Sequence, residues 1–188
     1  MSTSVTPEST TTTSTWTIDP AHSVAEFKVR HMMVTNVKGH FTSLRGVLNF
    51  DSADVTRSYI EAEIDATSIS TRDPQRDTHL KSADFFDVEK FPTLSFSSTR
   101  FARGANGHLE MTGDLTLHGI TRRVVFTVEG PTAQHKDPWG NVKMGASATT
   151  QINRKDFGLV WNAALETGGL LVGDEVTITL EIEFAKAA

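Results

Sequence analysis

Arg72, Asp73, Arg76, Asp77 and His79 crowd a single short stretch. Two guanidinium forks match the geometry of a phosphate or carboxylate. The His79 imidazole offers ring nitrogens to the same polar group. The cluster therefore has two uses. It can meet the polar head of a ligand, or its Arg and Asp side chains can pair and pin a helix. A third use, an enzyme acting on a hydrophobic substrate through Arg72–His79, requires a nucleophile or a metal. The sequence contains no GxSxG and no cysteine. Its seven histidines, His22, His31, His40, His79, His108, His118 and His135, show neither HxH nor HExxH spacing. Asp156-Phe157-Gly158 has no Gly-rich loop or lysine strand beside it. The expectation is no catalytic residue, no metal and no cofactor.

The segment carrying this cluster, from Arg72 to Phe96, departs from the pattern around it. Asp73-Pro74 is a helix start, with Asp able to cap free N–H groups and Pro suited to the first helical position. Asp77 and Lys81 fall four residues apart on one helix face. Phe85, Phe86 and Phe91 follow, and Pro92 ends any further helix. So short a helix is not stable alone and must dock on a sheet. A lid across one end of a barrel is expected, with Arg72, Arg76, Asp77 and His79 as its head-group or lid residues.

Elsewhere the period is two. Ala25, Phe27 and Val29 share a strand face, as do Ile60, Ala62 and Ile64, and Leu109, Met111 and Leu115. Eight such strands are readable, and His118-Gly119 makes a hairpin turn. The expected fold is all-β: an eight-stranded antiparallel up-and-down barrel, lipocalin-like, with one or two short helices covering an end. Met144, Ala146, Ala148 and Thr150 form one face of the seventh strand, opposite Gly145, Ser147 and Thr149. Either face is small, which leaves space for an apolar guest unless large residues fill the barrel from the other side. Both outcomes stay open.

The 188 residues make one domain, 15–186, preceded by a Ser/Thr-rich tail, 1–14, expected to be disordered. Acidic residues number 23 and basic residues 18, for a net charge of −5 without a basic run, so a nucleic-acid partner is not expected. No apolar stretch approaches the roughly 20 residues of a transmembrane span. The N-terminus shows neither the basic nor the apolar region of a secretory signal, and a cytoplasmic location is the expectation.

WTIDPAHSVAEFKVRHM (16–32), NVKGHF (36–41), RDTHLKSADFFDVEKFPTLSF (76–96), GDLTLHGITR (113–122) and NRKDFGLVW (153–161) occur in this order. Together they resemble the YceI-like polyisoprenoid-binding proteins. The resemblance implies a lipocalin-like barrel with an elongated apolar channel and no catalytic activity. It also implies a carrier or storage role for a long isoprenoid lipid, of the quinone or polyprenyl phosphate type. A stress-related interaction protein is the other alternative, and a homodimer is possible. By position the resemblance makes Phe27, Phe41, Phe85, Phe86, Phe96 and Met111 channel wall, with Phe157 and Trp161 joining from the segment before the last strand. Strand alternation adds Val29, Ile60, Ala146 and Ala148. The stretch NAALETGGLL, 162–171, is expected to form a second short cover.

Overall fold

The computed structural model describes residues 12–188. Most of the expected tail lies outside that range, but Thr13 and Ser14 do not. They already pair with Asp51 and Phe50 in the first strand. Trp16 explains this early start: it is 0 % exposed, and its indole N–H donates to Ser14 Oγ at 2.9 Å.

Three barrel staves are bent and read as two strands each. β1 (Thr13–Ile18) and β2 (Val24–His31) form the first, interrupted by a 3₁₀ turn at Pro20–His22. β3 (Thr35–Phe41) and β4 (Leu44–Asp51) form the second. β5 (Tyr59–Asp65) and β6 (Ile69–Ser70) form the third. After α1 (Pro74–Lys81) come β7 (Thr93–Arg103), β8 (Leu109–Leu117) and β9 (Ile120–Glu129). The two-residue β10 (His135–Lys136) lies on an edge of β11 (Val142–Asn153), and β12 (Val172–Lys186) ends the chain.

Every pairing is antiparallel between consecutive staves. β12 closes the ring by pairing β11 on one side and β1 and β2 on the other. This is the expected eight-stranded closed barrel, which leaves no long unpaired edge.

One end carries the short β4–β5, β7–β8 and β9–β11 connections. It is plugged by Trp16, Ile18, Leu44, Leu48, Met144 and Phe184. A fully buried Trp removes about 200 Å² from water, worth up to roughly 5 kcal/mol. The opposite end carries the β2–β3 turn, α1 and the long β11–β12 connection.

Among the described residues α1 is the one α-helix, and 162–171 is not a second. It is a loop closed by a single bridge between Ala164 and Leu170, a turn enforced by Gly168 and Gly169 at φ 86° and 94°.

Candidate functional site

Asp73 caps α1, accepting from Gln75 N and Arg76 N at 3.1 Å each. The helix itself carries no buried residue. It docks through half-buried Leu80 and, chiefly, through the turn after it. Phe85 is buried, and Phe86 meets Phe41 edge-on with centroids 5.7 Å apart. The apolar anchor therefore follows the helix in sequence instead of lying along one of its faces. Asp77 does not engage Lys81; it accepts from Thr71 N at 2.8 Å and Thr71 Oγ1 at 2.6 Å, tying α1 back to the end of β6.

Beneath this lid lies a cavity of about 310 Å³. Phe27, Val29, Phe41, Ile60, Phe85, Phe86, Phe96, Met111 and Trp161 line it, with Leu94, Leu115, Ile178, Leu180 and Ile182 among the others. The last group comes from the apolar faces of β7, β8 and β12. At the lidded end the wall turns polar at His31, Arg76 and His79.

Five expected positions fall off the cavity wall. Ala148 and Phe157 are buried among Phe101, Phe126 and Val128, and Ala146 packs against the same cluster, which borders the cavity through Phe126, Met111 and Phe85. The small face of β11 is thus covered by large residues from β7 and β9, and Phe96 and Phe126 of those strands form the cavity wall in its place. Arg72 is exposed in a left-handed turn at φ 65°, and Asp77 is spent on Thr71.

Arg76 and His79 do face the cavity. Arg76 donates to Thr71 Oγ1 at 2.8 Å and to Thr71 O at 3.0 Å, and lies 3.7 Å from Asp73. His79 Nε2 pairs with Asp84 at 2.8 Å, and its ring stands edge-on to Phe85 and Trp161 with centroids 5.1 and 4.7 Å away. Among the described residues no hydroxyl or thiol is hydrogen-bonded to that imidazole. The pair can orient or hold a polar group, but it is not coupled to a nucleophile.

Arg154 went unrecognised in the sequence. It starts the 3₁₀ turn Arg154–Phe157, is 3 % exposed and borders the cavity. Its guanidinium donates to Leu159 O (2.6 Å), Gly173 O (2.8 Å), Trp161 O (2.9 Å) and Val172 O (3.4 Å). One side chain thereby folds the 158–173 connection onto the lumen. Burial pulls its pKa below the ordinary value, opposed by the Asp174 carboxylate at 3.6 Å. All of its hydrogen-bond partners are backbone carbonyls, so no sequence pairing announces the role.

One His–carboxylate cluster lies outside the lumen. Asp19, His22 and Glu183 converge between β1, the 3₁₀ turn and β12. The Lys143 ammonium sits 2.6 Å from Asp19 and 3.0 Å from Glu183, in the place a cation would take.

Comparison with known proteins agrees with this architecture. The sequence model of the YceI-like domain matches residues 16–184. A UPF0312 protein of Vibrio cholerae is 39 % identical over 139 residues, covering 74 % of this chain and 73 % of that protein. The crystal structure of the Campylobacter jejuni YCEI protein superposes with a TM-score of 0.70 at 28 % identity, covering 86 % and 91 % of the two chains. A polyisoprenoid binding domain from Saccharophagus degradans shares the fold, with a TM-score of 0.64 at 13 % identity and coverage of 92 % and 98 %. With the family's sequence model matched over residues 16–184, the chain belongs to the YceI-like family.

Proposed function

We propose that the barrel is a non-catalytic carrier or storage protein that holds one long isoprenoid lipid in its lumen, without a metal or cofactor. The observation that carries this is the cavity itself. Its wall is almost wholly side-chain hydrocarbon, it is plugged at one end by the Trp16 cluster, and its polar groups gather at the other. Such a polarity gradient fits a molecule with an apolar tail and a polar head. At about 310 Å³ the space suits one slender chain, not a globular guest. The likeness to a polyisoprenoid binding domain supports a branched isoprenoid over a straight acyl chain. The head, of quinone or polyprenyl phosphate type, then lies near Arg76 and His79.

The test is a titration with linear isoprenoid alcohols of increasing length, alongside unbranched alcohols of equal carbon number. Each buried methylene is worth about 0.8 kcal/mol, so affinity should climb steeply per isoprene unit and level off once the lumen is full. Isoprenoids should exceed their straight-chain counterparts. Affinity that is independent of length would overturn the proposal.

A further inference from the structure

The turn joining β2 to β3 carries Met32, Met33 and Val34, which are 44, 64 and 76 % exposed. Hairpin tips ordinarily use Gly, Asn or Asp, especially where φ is positive. Here Met32 and Met33 both take left-handed φ, 50° and 60°. The turn is nevertheless held firmly: Val34 N donates to His31 O at 3.0 Å, Met32 N to Leu171 O at 2.8 Å, and Arg30 to Met33 O at 3.2 Å. Exposed Leu170 stands on the neighbouring loop, and Met33 Cγ lies 3.6 Å from the place a Cβ on Gly169 would occupy. The result is a rigid apolar tip beside the lidded end of the lumen. It is continuous with the cavity wall, because His31, Leu171 and Val172 belong to both.

Charge surrounds this tip in a consistent way. Lys28 and Lys38 stand directly opposite each other across β2 and β3, an arrangement that repels. With Arg30 they set three cations on the outer face of the hairpin against one carboxylate, Glu26, in a chain of net charge −5. Among the described residues none of these three cations forms an ion pair, as is also true of Arg100, Arg122 and Lys136 elsewhere on the barrel. On the neighbouring β12, Asp174 pairs with Lys155 and Glu175 accepts from Gln151, and Glu166 lies on the loop that carries Leu170.

We infer that Met32, Met33, Val34 and Leu170 form a membrane-docking tip that seats the lumen mouth on an anionic lipid bilayer. Methionine and leucine enter the interfacial layer, while Lys28, Arg30 and Lys38 meet anionic head groups behind them. A chain leaving the bilayer then passes into the lumen without crossing water. This inference rests on the lipid-carrier reading above.

The test is co-sedimentation of the full chain with phosphatidylcholine vesicles, with and without phosphatidylglycerol. Binding should favour the anionic vesicles and weaken with salt. Met33→Asp with Val34→Asp should reduce it about tenfold or more on either vesicle. Lys28→Glu with Lys38→Glu should weaken binding only where phosphatidylglycerol is present, by about fivefold per residue. Isoprenoid content of each variant is measured in parallel by organic extraction. Lost vesicle binding with full isoprenoid content supports docking. Vesicle binding that the Asp variants leave unchanged overturns it. So does an absence of vesicle binding in the wild type. If the Asp variants only shift a dimer to monomer, the tip is a self-association face and the inference is wrong. An empty lumen with intact vesicle binding would instead remove the carrier reading and leave the docking surface.

Discussion

The ring of Phe27 rests against the backbone of Gly39, its partner across β2 and β3. A Cβ on Gly39 would overlap Phe27 Cζ and come within 2.7 Å of Cε1 and 2.9 Å of Thr71 Cγ2. Phe96 likewise covers Gly113 on β8, from the diagonal position two residues along from Gly113's partner Ser98. In both places the missing side chain lets an aromatic ring lie along the wall, so the barrel keeps its aromatic lining without filling its axis.

Gly39→Ala should therefore push the Phe27 ring toward the axis. Affinity for a bound chain is expected to fall about tenfold, with roughly 1–3 kcal/mol of stability lost to overpacking. Chain titration and urea unfolding of the same variant check this. Unchanged affinity would mean that the Phe27 ring does not bound the occupied space.

Arg154→Met should be the costliest single change near the lumen. It strips hydrogen bonds from the carbonyls of Leu159, Trp161 and Gly173 and leaves Asp174 with Lys155 alone. A loss of roughly 2–5 kcal/mol is expected. Amide exchange should accelerate through 158–172 and hold steady in β8 and β9. Uniform acceleration would show that Arg154 supports the whole barrel and not this connection.

Arg76→Ala separates anchoring from head-group contact. The Thr71 hydrogen bonds assign Arg76 to anchoring the lid, so stability should drop by roughly 1–3 kcal/mol. Affinities for a neutral isoprenoid quinone and for a polyprenyl phosphate should then move together, within about threefold. Selective loss of the phosphate would place the head group on Arg76.

Much of this was legible beforehand. Alternation in β5, β8 and β12 has only one face apolar enough to turn inward, and Asp73-Pro74 marks the helix start without ambiguity. The Phe85-Phe86 pair identifies the lid because no other docking surface follows α1. The position of the open space was not legible. It depends on which large residues from other staves reach Ala146 and Ala148, and that is a property of the closed ring, not of β11. Arg154 escaped notice because backbone carbonyls carry no sequence signature. The bent staves escaped for a similar reason: Pro20 marks the break after β1, but β12 continues unbroken past it and keeps both halves in one sheet.

Acid should weaken the fold through Asp19. Hydrogen bonds from Lys143, then from His22, hold its carboxyl well below the usual range, and partial burial opposes them. A depressed carboxyl contributes stability above its ordinary pKa of about 3.9 and loses it as pH falls further. Lys143 is raised by the same partners, so its contribution persists through neutral pH and is lost only in strong alkali. Melting temperature should thus fall below about pH 4, and Lys143→Met should flatten that fall. Parallel acid profiles for the two proteins would show that Asp19 is not coupled to Lys143.

The most direct measurement is mass spectrometry of an organic extract from protein purified without detergent from cells that make it. The account predicts an isoprenoid lipid released in near-stoichiometric amount, and its disappearance when Leu115→Trp and Ile178→Trp fill the lumen of a protein that still folds. An extract holding no lipid, or equal lipid from the filled barrel, would contradict it.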